Sequence, residues 1–254
     1  KINKSPIQGI SETLKIEYRT PNSLKNNKEE YNYLKKLNAD IAIVVAYGQI
    51  IPKEYLSLVK KGFINIHASL LPKWRGAAPI QRSIMNLEKK TGVSIMKIGE
   101  KLDTGPVCNS YKIEIMHNDN TETISEKLSA IAAEKILENI DEILEDKINF
   151  REQNHTEASY AAKIEKNEGQ IEWNETAENI IGKINGLYPN PGAFFIYKGE
   201  RYKILKADLS PNSGEIGEVL DNYLGISCGN NKSIKVQEIQ RQGKRPQNIS
   251  EFML

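Results

Sequence analysis

Asn65, His67 and Asp103 bring an amide, an imidazole and a carboxylate into two short motifs. The first is Phe63-Ile-Asn-Ile-His-Ala-Ser-Leu-Leu-Pro72 and the second is Gly99-Glu-Lys-Leu-Asp-Thr-Gly-Pro106. In each, a polar residue stands where an apolar stretch gives way to a turn. An amide donates to a developing oxyanion, an imidazole handles a proton, and a carboxylate partners it. That set suits attack of an amine on an acyl carbon. Strand alternation puts Asn65 and His67 on one side and turns Ile64 and Ile66 to the other. The bland reading of such a pair is a hydrogen-bonded core contact. The loop that follows weighs against it, because ligands of open α/β sheets bind beyond the carboxyl ends of strands. Asp103 alone signals only an Asx-turn. With the other two it becomes the third member of a site at adjacent strand ends, placed to orient His67 and relay a proton from the amine.

Three further stretches carry polar chemistry. The loop Ser69-Leu-Leu-Pro-Lys-Trp-Arg-Gly-Ala-Ala-Pro79 mixes a rigid proline, a glycine, an aromatic and two cations. It reads either as a surface connection with Trp74 packed, or as a ligand wall where Lys73 and Arg75 draw in an anion such as phosphate. Ala46-Tyr-Gly-Gln-Ile-Ile-Pro52 follows an apolar strand, and Gly48 permits close backbone approach there. By the strand-end rule it lines the same site, against the simpler reading of a strand-to-helix turn. The cluster Arg241-Gln-Gly-Lys-Arg245 is a solvated loop by default. The sharper reading is a phosphate-backbone contact through Lys244 and Arg245. His117 and His155 stand alone among polar residues and read as surface histidines.

Elements must hold these groups in place. Residues 41–46 form a continuous β-branched apolar run, suited to a strand covered on both faces as in a parallel sheet. Further strands fall at 63–66 and 93–98, with a short helix over 79–87 between them. Alternating strands and helices predict an α/β layer structure. A long amphipathic helix spans 121–146, with Ile124, Leu128, Ile131, Ile136, Ile140 and Ile143 as a packing stripe and Thr123 with Glu126 as a capping box. Residues 150–166 turn polar and irregular, as a linker does. A helix near 175–186 follows. Strands then fall at 193–197, 201–209, 216–220, 225–228 and 234–240, a spacing that suggests a small barrel.

Composition fits a soluble protein of one large or two ordinary domains: 254 residues, 39% apolar and 27% charged. The formal charge of +2 gives no overall pull towards nucleic acid, so any such contact depends on local patches. Cys108 and Cys228 form no CxxC pair, which speaks against zinc and for reduced thiols in a cytosolic protein. No apolar run reaches the roughly 18 residues of a membrane span, and Lys1-Ile-Asn-Lys4 opens no secretory segment. The chain begins without Met and so reads as a fragment.

Asn-Ile-His-Ala-Ser-Leu-Leu-Pro-Lys-Trp-Arg-Gly-Ala-Ala-Pro-Ile at 65–80 closely resembles the signature of the methionyl-tRNA formyltransferase family. So do Val-Val-Ala-Tyr-Gly-Gln-Ile-Ile-Pro at 44–52, Gly-Val-Ser-Ile-Met at 92–96 and Leu-Asp-Thr-Gly-Pro at 102–106. In the back half, Ser159-Tyr-Ala-Ala-Lys-Ile164 and Pro189-Asn-Pro-Gly-Ala193 resemble that family's domain junction and C-terminal domain. The resemblance implies a Rossmann-like formyltransferase domain over 1–149, a linker over 150–167 and an OB-like β-barrel that binds tRNA over 168–254. It implies transfer of a formyl group from 10-formyltetrahydrofolate to the α-amine of methionyl-initiator tRNA, without a metal. The setting it implies is a monomer in a bacterial cytoplasm or an organelle matrix, with no membrane. By motif, Asn65, His67 and Asp103 take the catalytic roles. Ser69, Leu70, Leu71 and Pro72 match the family's folate-binding stretch; Gln49 and Ile50, in the turn after the first strand, are expected to line the same folate cleft, and Lys73, Arg75, Lys244 and Arg245 are the local cations expected to face the tRNA.

Two departures stand out. The family's opening strand, Gly-Thr-Pro loop, helix and second strand precede the segment that matches Lys1, so the resemblance implies a chain lacking them. Lys97 and Lys101 also stand where the family more often has an uncharged residue. Two other functions compete: a formyltransferase acting on a nucleotide-linked amino sugar, and a non-catalytic folate- or RNA-binding fragment.

Overall fold

The computed structural model describes residues 4–254. Lys1, Ile2 and Asn3, and with them the reading of the opening as a fragment's edge and as no secretory segment, lie partly or wholly outside the described residues. Helix α1 (Pro6–Leu14) starts on a Ser5 cap and α2 (Lys28–Leu37) on an Asn27 cap. Strand β1 (Ala42–Val44), the single turn α3 (Lys53–Leu56) and β2 (Phe63–His67) follow. Next come a two-residue strand β3 (Arg75–Gly76), helix α4 (Pro79–Met85), β4 (Lys90–Lys97), β5 (Val107–Glu114) and the long helix α5 (Thr121–Leu144).

The first sheet runs β1-β2-β4-β5. Only β1 and β2 are parallel; β4 and β5 pair antiparallel. The expectation of a strand buried on both faces at 41–46 therefore fails. At the sheet edge, Ala42 and Val44 pack against Tyr55, Val59 and Phe63, while Ile43 and Val45 point outward into exposed positions. Strand β5 escapes a reading by pattern because Asn109, Ser110, Lys112 and Glu114 interrupt its apolar residues, as befits an edge strand with one wet face. Helix α5 packs Ile124 and Leu128 against Ile66, Ile84 and Val93, and Ile143 against Ile64 and Ile95. Its cap is Asn120 paired with Thr123, not Thr123 with Glu126. The amide side chain of Asn120 reaches the free N–H of Thr123, and the Thr123 hydroxyl accepts from Asn120 N–H.

The 150–167 stretch is no free tether. Arg151 bridges to Val107, and β6 (Tyr160–Ala161) runs parallel to β3. Beyond it, α6 (Ala177–Leu187) is capped by Thr176. Strands β7 (Ala193–Tyr197), β8 (Glu200–Ser210), β9 (Gly225–Ser227), β10 (Ser233–Arg241) and β11 (Gln247–Asn248) lead to the closing turn α7 (Ile249–Phe252). They form an antiparallel sheet of order β11-β10-β8-β7, with β9 also on β10. Ile180 and Ile184 of α6 fill its core with Ile204, Ile234, Val236 and Ile239. The strand expected at 216–220 is a turn: Gly217 takes φ +80°, Ile216 and Val219 are exposed, and one isolated bridge joins Val219 to Ile226.

The two sheets are joined through α6 lying on α4. A Cβ at Gly186 would stand 2.5 Å from Met85 Cγ, so only glycine permits this approach. The Thr121 hydroxyl donates to the Gly186 carbonyl at 2.6 Å. Arg82 of α4 ties the same joint. Its guanidinium donates to the carbonyls of Ala162 (3.0 Å) and Lys163 (3.1 Å) and forks onto Glu168 (2.5 and 3.0 Å). Those hydrogen bonds from Arg82 hold the Glu168 carboxyl below its ordinary 4.5. A depressed carboxyl pKa stabilises the fold fully above the unfolded value and loses that contribution as pH falls through the folded one. Arg82→Met should therefore cost about 1–3 kcal/mol at neutral pH. Thermal melting from neutral pH into the acid range should show the gap from the parent narrowing.

Candidate active site

The site gathers around the end of β2. Asn65 and His67 share one side of this strand, and the 98–106 loop brings Asp103 to them. Asn65 Nδ2 lies 3.5 Å from Asp103 Oδ1, and His67 Nδ1 lies 3.7 Å from Asp103 Oδ2. The structure thus collects all three residues, but not by adjacent strand ends. Because β4 is antiparallel to β2, Lys97 pairs with Ile64 near the start of β2. The loop after β4 must fold back along the sheet to deliver Asp103. It does so with Asp103 in the left-handed region at φ +49°, a conformation that costs an L-residue free energy and that Asp tolerates better than most.

The orientation of His67 also departs from expectation. Its Nε2 is 2.9 Å from the Trp74 carbonyl oxygen, which can only accept. Nε2 is therefore the donor to that carbonyl, and Nδ1 is the ring nitrogen left facing Asp103. The Trp74 carbonyl, rather than Asp103, fixes the ring. His67 is buried, so the imidazole is held in one pose. Asp103 has a different anchor: its Oδ2 accepts from Gly76 N–H at 2.9 Å. Gly76 adopts φ +125°, and a Cβ there would stand 2.6 Å from the Ala161 carbonyl oxygen. Side chains other than hydrogen are excluded at that position.

The loop between β2 and α4 is built from the inside. Ser69 is wholly buried; its hydroxyl donates to the Lys73 carbonyl at 2.6 Å, and its own carbonyl accepts from Ser94 at 2.7 Å. Its hydroxyl is thus engaged within the loop, and Leu70, Leu71 and Pro72 lie beside it. Gln49 and Ile50 lie on the exposed stretch after β1, whose Val44 pairs with Asn65. Gln49 Nε2 is 3.3 Å from the Asn22 carbonyl oxygen, and Ile50 is 83% exposed.

Arg75 cannot serve as a phosphate-binding cation on the surface. It is 2% exposed, and its guanidinium donates to Gln153 Oε1 at 3.0 and 2.7 Å and to His155 Nδ1 at 3.0 Å. Burying a guanidinium requires partners, and these supply them. Lys73 is exposed and pairs with Glu88 at 3.2 Å. Arg245 pairs with Glu251 at 2.6 Å, and Lys244 is exposed beside it. Lys97 lies over the Phe150 ring at 4.5 Å, and Lys101 is exposed.

A cationic groove has no signature in the sequence because its members are scattered through the chain. It encloses about 580 Å³ and begins at Ala77 and Ala78, next to the Gly76 that holds Asp103. Lys163, Lys166, Arg201 and Lys203 line it. Arg201 and Lys203 continue into a second hollow of about 320 Å³ with Arg241. Arg201 stacks 3.6 Å above the Phe194 ring, and its buried Nε and Nη2 find no acceptor in the protein. Burial, and then the charge of Arg201, push the Lys203 ammonium below its ordinary value. Among the described residues no cluster of acids, histidines and cysteines could hold a metal ion, and no helix is long and apolar enough to cross a membrane.

Known proteins match this architecture along its length. A family model described as formyl transferase covers residues 2–140, and one described as formyl transferase, C-terminal domain, covers 163–254. A methionyl-tRNA formyltransferase of Pelagibacter ubique is 73% identical over all 254 residues, which span 82% of that protein. The chain belongs to the methionyl-tRNA formyltransferase family. A second member, from Jannaschia sp., is 40% identical across 98% of the chain and 81% of its own length. Among solved structures, the sugar 3N-formyl transferase WlaRD, determined with dTDP and 5-N-formyl-THF, superposes with a TM-score of 0.67 at 23% identity. That match covers 84% of this chain and 77% of the other. HypX from Aquifex aeolicus with tetrahydrofolic acid gives 0.64 at 19% identity, over 88% of this chain and 40% of that one. These two establish the fold, an α/β Rossmann-like formyltransferase unit followed by a C-terminal part. The chain is an enzyme with the activity of that family, methionyl-tRNA formyltransferase.

Proposed function

We propose that the chain moves the formyl group of 10-formyltetrahydrofolate to the α-amine of methionine on initiator tRNA, with Asn65, His67 and Asp103 as the catalytic residues. The observation that carries this is the meeting of Asn65, the Nδ1 face of His67 and Asp103 within 3.7 Å. The amine nitrogen bonds to the formyl carbon, and the carbonyl oxygen becomes an oxyanion. Asn65 Nδ2 donates to that oxygen, joined by His67 Nδ1 when the ring is protonated. The Asp103 carboxylate takes the amine proton and passes it to the folate nitrogen, whose bond to the formyl carbon breaks as it gains that proton. Folate lies in a cleft between residues 46–52, 69–72 and 98–103. Gln49, Ile50, Leu70, Leu71 and Pro72 contact it, and Ser69 acts by shaping the loop.

The same reading divides the chain into a catalytic domain over 1–149, a joining segment over 150–167 and an OB-like tRNA-binding domain over 168–254. The curl of β7–β10 around α6 supports the last of these. It acts as a cytoplasmic monomer of a bacterium, or in an organelle matrix. The cationic groove beside Asp103 supports a path for the tRNA, with Lys73, Lys244 and Arg245 as outlying contacts. An assay offering both charged initiator tRNA and a nucleotide-linked amino sugar, with 10-formyltetrahydrofolate, tests the substrate. Formylation of the tRNA alone is expected; formylation of the sugar alone would overturn the assignment.

A further inference from the structure

We infer that Gln153, backed by Arg75, is the positioning residue that holds Asp103 in its working conformation. The inference rests on the catalytic reading of Asp103. Gln153 is buried, although it lies in a polar run that reads as a linker. Its Nε2 donates to the Asp103 carbonyl at 2.9 Å and to the Gly105 carbonyl at 2.7 Å. Its Oε1 accepts both bonds of the Arg75 fork. All four hydrogen-bonding capacities of the amide are used, and only one orientation serves, because a guanidinium only donates and a carbonyl only accepts.

The geometry explains why such a clamp is needed. Asp103 sits in a loop that doubles back from the far end of β4, at a positive φ, beside an exposed Leu102. Within the loop, Thr104 folds onto the Lys101 carbonyl through N–H (3.4 Å) and hydroxyl (3.2 Å). The other anchors of Asp103 come from outside the loop: Gly76 N–H and the longer Asn65 contact on the carboxylate, and Gln153 on the backbone. The guanidinium polarises the Gln153 amide, which strengthens its N–H donors. Arg75 and Gln153 also connect the two halves of the site, since Arg75 directly follows Trp74, whose carbonyl holds His67. Ser159 completes the tie, its hydroxyl accepting from Trp74 N–H at 2.9 Å and its carbonyl from Arg75 N–H at 2.9 Å.

Gln153→Glu is the discriminating variant. It keeps an acceptor for Arg75 and turns an oxygen towards the two carbonyls in place of the donor. The turn should shift, and kcat should fall about tenfold to a hundredfold, the penalty of misplacing a reacting group by roughly an ångström. KM for tRNA should stay near that of the parent. The added negative charge should also move the acid limb of the kcat profile to higher pH, because it favours the protonated form of the base. A merely structural role predicts neither the kcat-against-KM split nor the moved limb. Arg75→Met with Gln153→Met removes the buried charge together with its partner, which a fold tolerates better than removing one. This pair should melt cooperatively and still lose turnover. Failure of the pair to fold, or a loss that only tracks its folded fraction, overturns the positioning role, as does a Gln153→Glu enzyme with the parent's turnover and pH profile. Asp103→Ala separates this from the underlying assignment. If it abolishes turnover and Gln153→Glu adds nothing to it, both hold. Near-parental turnover by Asp103→Ala removes the catalytic reading itself, whereas a dead Asp103→Ala beside an unaffected Gln153→Glu removes only the clamp.

Discussion

Asn65→Ala and His67→Ala are each expected to slow formyl transfer about a hundredfold to a thousandfold, the usual consequence of deleting one oxyanion donor. Folate affinity should change far less, because the amide and the ring face the reacting carbon and the cleft walls belong to other segments. The two losses have different companions. Asn65→Ala removes an amide 3.5 Å from Asp103 and leaves the scaffold intact. His67→Ala also strips the Trp74 carbonyl of its donor, so it should carry a stability loss of about 1–3 kcal/mol. Single-turnover rates at saturating folate and tRNA, beside a melting curve, separate these effects. A rate within a few-fold of the parent for either variant would contradict the scheme, whatever the melting temperature.

The chemistry is legible in the sequence because it is carried by residue types. Asn65, His67 and Asp103 are polar in apolar surroundings, and strand alternation correctly puts the first two on one side. Their assembly is not legible. Alternating strands and helices suggest a parallel arrangement, whereas β4 is antiparallel and Asp103 arrives by a folded-back loop. Periodicity cannot tell a parallel neighbour from an antiparallel one. Arg75 misleads for a related reason. A cation beside a glycine and an aromatic looks like an exposed anion site until the fold brings Gln153 and His155 to it from a distant part of the chain. Gln153 itself offers no local signal, being one polar residue in a polar run. Strand β5 and the turn at 216–220 are hard to read because β-propensity reports half-buried packing rather than backbone preference. Exposed Ile216 and Val219 show how weak that signal is at a glycine turn.

The tRNA contact should depend on Arg201 and Lys203 more than on Lys244 and Arg245. Two cations share one groove wall, and Arg201 leaves buried Nε and Nη2 without an acceptor. Such groups are costly unless something accepts from them. A phosphate in the groove would pair with the Arg201 guanidinium and offset its charge, which after burial is the second cause that holds the Lys203 ammonium below its ordinary value. Arg245, by contrast, already has Glu251, so a phosphate there competes with an existing ion pair. Arg201→Gln with Lys203→Gln should therefore weaken tRNA binding and lower the slope of log affinity against log salt by about two, one for each phosphate no longer neutralised. Lys244→Ala with Arg245→Ala should lower it by less. Turnover at saturating tRNA should survive in both, since neither pair touches the catalytic trio. Salt-titrated binding of initiator tRNA to the parent and both double variants decides the matter. An unchanged slope for the Arg201 and Lys203 pair would remove these two cations from the interface and turn the search to Lys163 and Lys166, which line the same groove.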